Sequence, residues 1–146
     1  MLKKTVFRLL CLAAMVSVLF IAQAQTEEQG WKKTITLPSG EVVCDLNGEW
    51  DMLWQGRGEM QAYGQFRDVF KISQKGSSFE GIRMIGNQAN NKGSKAIEGE
   101  LDKNGFKRLI YNAGGLSGQY KAKISKDGNM IEFEPNKDFF YELTRK

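Results

Sequence analysis

Asn47-Gly48-Glu49-Trp50-Asp51-Met52-Leu53-Trp54 is the stretch on which the reading of the fold turns. Successive side chains of an extended chain face opposite ways, so Trp50, Met52 and Trp54 share one side. From Gly48 onward the period stays at two. In 64–74, Phe66, Asp68, Phe70 and Ile72 share one face, and Arg67, Val69, Lys71 and Ser73 the other. Further strands are expected over 79–85, 95–101, 106–112, 116–124, 130–134 and 139–145. Glycine-bearing turns separate several of them, among them Lys75-Gly76-Ser77-Ser78, Asp102-Lys103-Asn104-Gly105 and Lys126-Asp127-Gly128-Asn129. No segment after residue 24 carries a helical period.

Eight strands joined mostly by short loops predict an antiparallel up-and-down meander. Such a sheet must hide one apolar face and two edges. Closing into an all-β, eight-stranded barrel does both, and a two-sheet β-sandwich is the alternative. The second face, which carries Arg67, Lys71, Glu98, Glu100, Lys107, Lys121, Lys123 and Glu132, argues against an outer-membrane barrel. Gly81, Gly99 and Gly118 fall inside strands, where glycine marks a bend or a close backbone approach.

The chain begins as a secretory signal. Lys3, Lys4 and Arg8 precede an apolar run of 13 residues, 9–21, and Ala22-Gln23-Ala24 is a small-x-small cleavage site. A bilayer-spanning helix needs about 20 residues. The expected organisation is a signal peptide over 1–24, an N-terminal arm over 25–47 and a barrel domain over 48–146. The expected location is secreted or periplasmic, with no membrane span after cleavage. The mature chain would hold 18 basic against 17 acidic residues, interspersed, which argues against nucleic-acid binding. Within the arm, 33–37 and 41–45 read as short strands around Pro38-Ser39-Gly40, lying across or plugging the barrel. Cys44 would be the single remaining thiol, either a small buried hydrophobe or a site for an intermolecular disulfide. The chain has no histidine, which removes His-based triads and the commonest general base.

Gly48-x-Trp50 on the first strand, an eight-strand meander and Arg145 at the end of the last strand together resemble the calycin barrels: lipocalins and, more distantly, avidin-like proteins. The resemblance implies that Trp50 closes one barrel end, that Arg145 packs across it, and that Gly48 belongs to this closure. The short strands imply a narrower or shallower barrel than that of a carrier lipocalin.

Three charges, Asp68, Arg83 and Arg108, fall in phase with apolar neighbours. Buried charges must be paired or hydrogen-bonded. Asp68 and Arg83 either form a structural pair on adjacent strands, or the arginines wait as forks for an anionic group. Trp54, Tyr120 and Tyr141 either fill the core or line a cup. The candidate ligand-binding set is therefore Trp54, Asp68, Arg83, Arg108, Tyr120 and Tyr141. The function expected is a non-enzymatic binding protein that holds a small apolar or amphipathic anionic ligand at its open end. The alternative is a protein-interaction barrel with a filled core. No catalytic residue, metal or cofactor is expected.

Overall fold

The computed structural model describes residues 30–146. The signal peptide expected over 1–24 and the first five residues of the arm lie outside the described residues. Alternating apolar residues and short turns produce one large antiparallel sheet with a small hairpin beside it. The hairpin is β1 (Thr34–Thr36) and β2 (Val42–Cys44), with Thr34 opposite Cys44. The sheet is built from β3 (Gly48–Gly56), β4 (Gln65–Lys75), β5 (Ser78–Arg83), β6 (Lys95–Asp102), β7 (Gly105–Ala113), β8 (Leu116–Gln119), β9 (Ala122–Ile124), β10 (Met130–Phe133) and β11 (Phe139–Arg145).

These nine strands lie in the order β8-β7-β6-β5-β4-β3-β11-β10-β9. This is an up-and-down meander curled into a half-barrel, one continuous sheet rather than the two sheets of a sandwich. The strand expected over 116–124 is divided. Its first half pairs with β7 and its second with β10, so the two edges of the sheet are consecutive in the chain. At the break, the Tyr120 N–H donates to the Leu109 carbonyl at 2.9 Å, and the Lys121 carbonyl accepts from the Glu134 N–H at 2.8 Å. Gly118 permits the bend, because a Cβ there would meet the Tyr120 ring at 2.9 Å.

Two local features depart from the sequence reading. A short 3₁₀ helix, Gly58–Tyr63, connects β3 to β4. Six residues are too few to display a helical period. In β7 a bulge changes the phase: Glu100 lies opposite Arg108 but Leu101 opposite Phe106, leaving Lys107 as the extra residue. Leu109 and Tyr111 therefore face inward, and Arg108 turns to the outer face. Gly99 makes room for the bulge, since a Cβ there would lie 2.0 Å from the Arg108 carbonyl oxygen.

Trp50, Met52, Phe70, Ile72, Ile97, Leu109, Ile131, Phe133 and Leu143 fill the core. The hairpin covers one end of it. Val43, Cys44 and Leu46 are fully buried there. The arm reaches all three turns at that end: Leu37 packs at Gly76, Trp31 at Gly105, and the Cys44 Sγ at Gly128. The Glu41 carboxylate accepts from the Lys103 N–H at 2.7 Å, and Gln74 bonds both the Leu46 N–H and the Cys44 carbonyl. Cys44 is a free thiol, and burial pushes its pKa up to about 11.

Arg145 seals the same end. Its guanidinium lies 4.5 Å from the centroid of the Trp50 ring and donates to the carbonyls of Asp45, Asn47 and Gly128. The Trp50 indole N–H donates to the Leu46 carbonyl at 2.9 Å. Gly48 has a φ of +136°, and a Cβ on it would meet the guanidinium at 3.2 Å. The Gly-x-Trp pattern thus has a steric basis: glycine leaves the space through which the arginine reaches the indole. No helix among the described residues is long and apolar enough to cross a membrane.

Truncation of Trp50 removes a fully buried ring, so Trp50→Ala is expected to cost about 3–5 kcal/mol. Arg145→Ala loses the cation–π contact and three carbonyl partners, for about 2–3 kcal/mol. Arg145→Lys should fall between wild type and alanine, because an ammonium is a point donor and not a planar fork. Urea denaturation midpoints check the order.

Candidate functional site

The end opposite Arg145 is open. It is formed by the 3₁₀ helix and by the loops over 84–94, 114–115 and 134–138. A cleft of about 520 Å³ opens there, walled by Met52, Trp54, Tyr63, Phe66 and Tyr111. Trp54 is held between Phe66 and Phe139, with both ring centroids 4.9 Å away. Below the cleft the interior is filled by rings. Tyr141 lies 5.7 Å from Tyr120, 5.7 Å from Phe133 and 5.8 Å from Tyr111.

Asp68 reaches the cleft lining but is only 8% exposed. One carboxylate oxygen accepts from the Arg83 Nε at 2.7 Å, and the other from the Val69 N–H at 2.9 Å. Arg83 is 2% exposed. Its Nη1 donates to the Ser94 hydroxyl at 3.2 Å and to the Lys95 carbonyl at 3.5 Å, and its Nη2 donates to the Asn112 carbonyl. The guanidinium is also flanked by the Phe70 and Tyr111 rings, at 5.8 and 5.9 Å. Arg83 is thus tied into β4, the start of β6 and β7 at once, as the structural partner of Asp68.

A second, smaller cleft of about 300 Å³ lies beyond this pair. Its lining mixes apolar surface with polar side chains that include Asn91, Ser94, Asn112 and Ser117. The two clefts share Ala89, Asn90 and Ala113. The loop between them is stapled to itself and to its neighbour. The Asn87 side-chain oxygen accepts from the N–H groups of Ala89 and Asn90, both at 2.9 Å. The Asn90 side-chain oxygen accepts from the Gly114 N–H at 2.9 Å.

Of the residues singled out from the sequence, Trp54 and Asp68 line the aromatic cleft. Tyr120 and Tyr141 lie in the ring cluster outside its lining. Arg83 borders the smaller cleft instead, already engaged by four acceptors. Arg108 does not join them. Its side chain is 49% exposed on the outer face, 3.9 Å from Glu100, because the bulge at Lys107 reverses the phase of β7. The same bulge hid Tyr111, which lines the cleft. The available signal was the three-residue spacing of Phe106 and Leu109 across Lys107-Arg108, opposite an in-strand glycine. Tyr63 and the asparagines of 87–91 lie outside the strands, where periodicity gives no direction.

Among the described residues, no group of three or more Cys, Asp or Glu side chains is placed to hold a metal ion. Comparison with protein-family models, curated proteins and solved structures finds no match.

Breaking the buried ion pair from one side leaves a carboxylate without its counter-charge. Arg83→Met is expected to cost about 3–5 kcal/mol, and Asp68→Leu combined with Arg83→Met to recover much of it. A double-mutant cycle by urea denaturation measures the coupling.

Burial pushes the Tyr141 phenol up to about 12 from an ordinary 10.0, opposed by Trp54 and reinforced by Tyr120. Burial raises Tyr111 as well, with Arg83 pulling it partly back. A raised folded-state pKa means that the folded protein holds the proton longer than the unfolded chain. Together with Cys44, whose ordinary value is 9.0, these groups contribute stability that is fully present below about pH 9 and lost as pH rises toward about 12. Urea midpoints should fall across that window, and Tyr141→Phe should flatten the decline.

Proposed function

We propose that this chain is a secreted, non-enzymatic binding protein. In this reading it is a small lipocalin-like barrel, closed at the Trp50–Arg145 end, that takes a small and largely apolar ligand at the open end. The observation that carries the reading is the cleft of about 520 Å³ between Trp54, Tyr63, Phe66 and Tyr111. Ligand sites are concave, predominantly apolar and preformed, with a few polar groups that fix orientation. Phe66 is 54% exposed and Tyr63 is also exposed, so rings stand uncovered at the rim where an apolar molecule would shield them.

The anionic head expected from the sequence has weaker support than the apolar body. It relied on Arg83 and Arg108, and one is paired with Asp68 and engaged by three further acceptors while the other faces outward. A second reading, a barrel that docks a protein at its mouth, draws on Ile85 and Leu116, which are exposed at the same end.

The test is titration with N-phenyl-1-naphthylamine, a neutral apolar dye that brightens when shielded from water. Binding is expected, and Trp54→Ala or Phe66→Ala should weaken it about tenfold through lost apolar contact. Val42→Ser, at the hairpin end, should leave it unchanged. A dye that ignores the wild-type protein, or binds Trp54→Ala equally well, removes the small-ligand reading and leaves the protein-docking one.

A further inference from the structure

We infer that the smaller cleft beyond the Asp68–Arg83 pair is the head-group subsite of the aromatic cleft, and that it selects an uncharged, hydroxyl-rich head. This inference rests on the small-ligand reading and gives that ligand its polar end. The two clefts meet at Ala89, Asn90 and Ala113, so an elongated molecule lies in both by passing the Ala89–Asn90 segment. The segment is fixed in place by the Asn87 and Asn90 staples, so the passage is built into the fold.

The chemistry of the smaller cleft argues for a neutral head. Its two cations are already compensated. Arg83 pairs with Asp68 at 2.7 Å, and the Lys95 ammonium lies 2.8 Å from Glu98 and 3.6 Å from Glu80 on the outer face. An anion entering the cleft finds no unpaired charge, and a cation finds no unpaired carboxylate. What remains is hydrogen-bonding capacity. Among the described residues, the side chains of Asn91 and Ser117 make no hydrogen bond, although both line the cleft. The bonds from Arg83 Nη1 to Ser94 and Lys95, at 3.2 and 3.5 Å, are long. Amide and hydroxyl groups both donate and accept, and so does every hydroxyl of a polyol or sugar. The ligand class is therefore a monomeric neutral amphiphile: an apolar chain or ring body in the aromatic cleft, and a hydroxyl-rich head beside Asn91 and Ser117.

Calorimetric titration of the full mature chain with three probes, each below its aggregation limit, tests this. The probes share one tail: octyl glucoside has a neutral polyhydroxyl head, octanoate an anionic head, and 1-octanol a single hydroxyl. The expected result is octyl glucoside at least tenfold tighter than both others. Asn91→Ala combined with Ser117→Ala should abolish that advantage while leaving 1-octanol unchanged. Equal binding of octyl glucoside and 1-octanol overturns the head-group subsite and leaves the apolar site standing. Tighter octanoate overturns the neutral head. An advantage that survives the double substitution puts the head elsewhere and also overturns the assignment. If none of the three binds, the subsite and the proposed function fall together.

Discussion

A guanidinium taken out of water has five N–H groups to place and a charge to neutralise, and it cannot shed that charge by losing a proton. Buried Arg83 imposes this condition in full on the half-barrel, and half-buried Arg145 imposes it in part at the other end. Arg83 meets it with a carboxylate on β4, a hydroxyl and a carbonyl at the start of β6, and a carbonyl on β7. Arg145 meets it with three carbonyls from the arm and the turn at Gly128, and with the face of Trp50. Each set of acceptors exists only when those segments are in register. The Asp68–Arg83 ion pair alone adds modest net stability after desolvation. Misregister, however, would strand a buried charge, and that makes the native arrangement specific.

The mouth inherits its shape from the Arg83 tie. Residues 84–94 leave β5 directly after Arg83 and return at Ser94, itself bonded to Arg83. The loop is clamped at both ends: the Arg83 N–H donates to the Ser94 carbonyl at 3.0 Å, and the Arg83 carbonyl accepts from the Gly93 N–H at 2.9 Å. A loop so fixed holds the clefts open before any ligand arrives. Under the proposed reading, ordering costs on binding would then be small, and modest contact areas would suffice for affinity.

The sheet was legible in the sequence because alternation survives where one face is buried, as in 48–54 and in Asp68, Phe70 and Ile72 of β4. The closure was legible because Gly48, Trp50 and Arg145 carry distinctive shapes. Three things were not. The division of 116–124 depends on which neighbour each half follows, and pairing partners leave no mark on a single strand's period. The bulge at Lys107 inserts one residue, and one residue reverses every side chain beyond it. Strict alternation from Phe106 therefore carries Arg108 inward, whereas the bulge turns it out. The clefts depend on loop residues whose side-chain directions follow from tertiary contacts such as Asn90 with Gly114. Of the larger cleft's lining, Trp54 and Asp68 were among the residues read from the sequence. The sequence held Arg83 only as a choice between pair and fork, and the distances decide for the pair.

That decision bears on charge selectivity at the mouth. Ser94, Lys95 and Asn112 occupy the Nη1–Nη2 edge of Arg83, so a ligand carboxylate seeking two parallel donors meets the Nε edge, where Nε must first leave Asp68. The entering carboxylate would then replace a carboxylate already present, with similar geometry and similar charge-assisted bonds. Little is gained by the exchange, and the Asp68 carboxylate is left nearly buried without its cation. Removing one partner of a buried pair costs several kcal/mol, more than a new arginine–carboxylate contact returns when the old one was equally good. Under the proposed small-ligand reading, a mouth built in this way would disfavour anions, because its own arginine is already paired. In that reading selectivity would fall to ring contact in the larger cleft and to the amide and hydroxyl groups of Asn91 and Ser117 in the smaller.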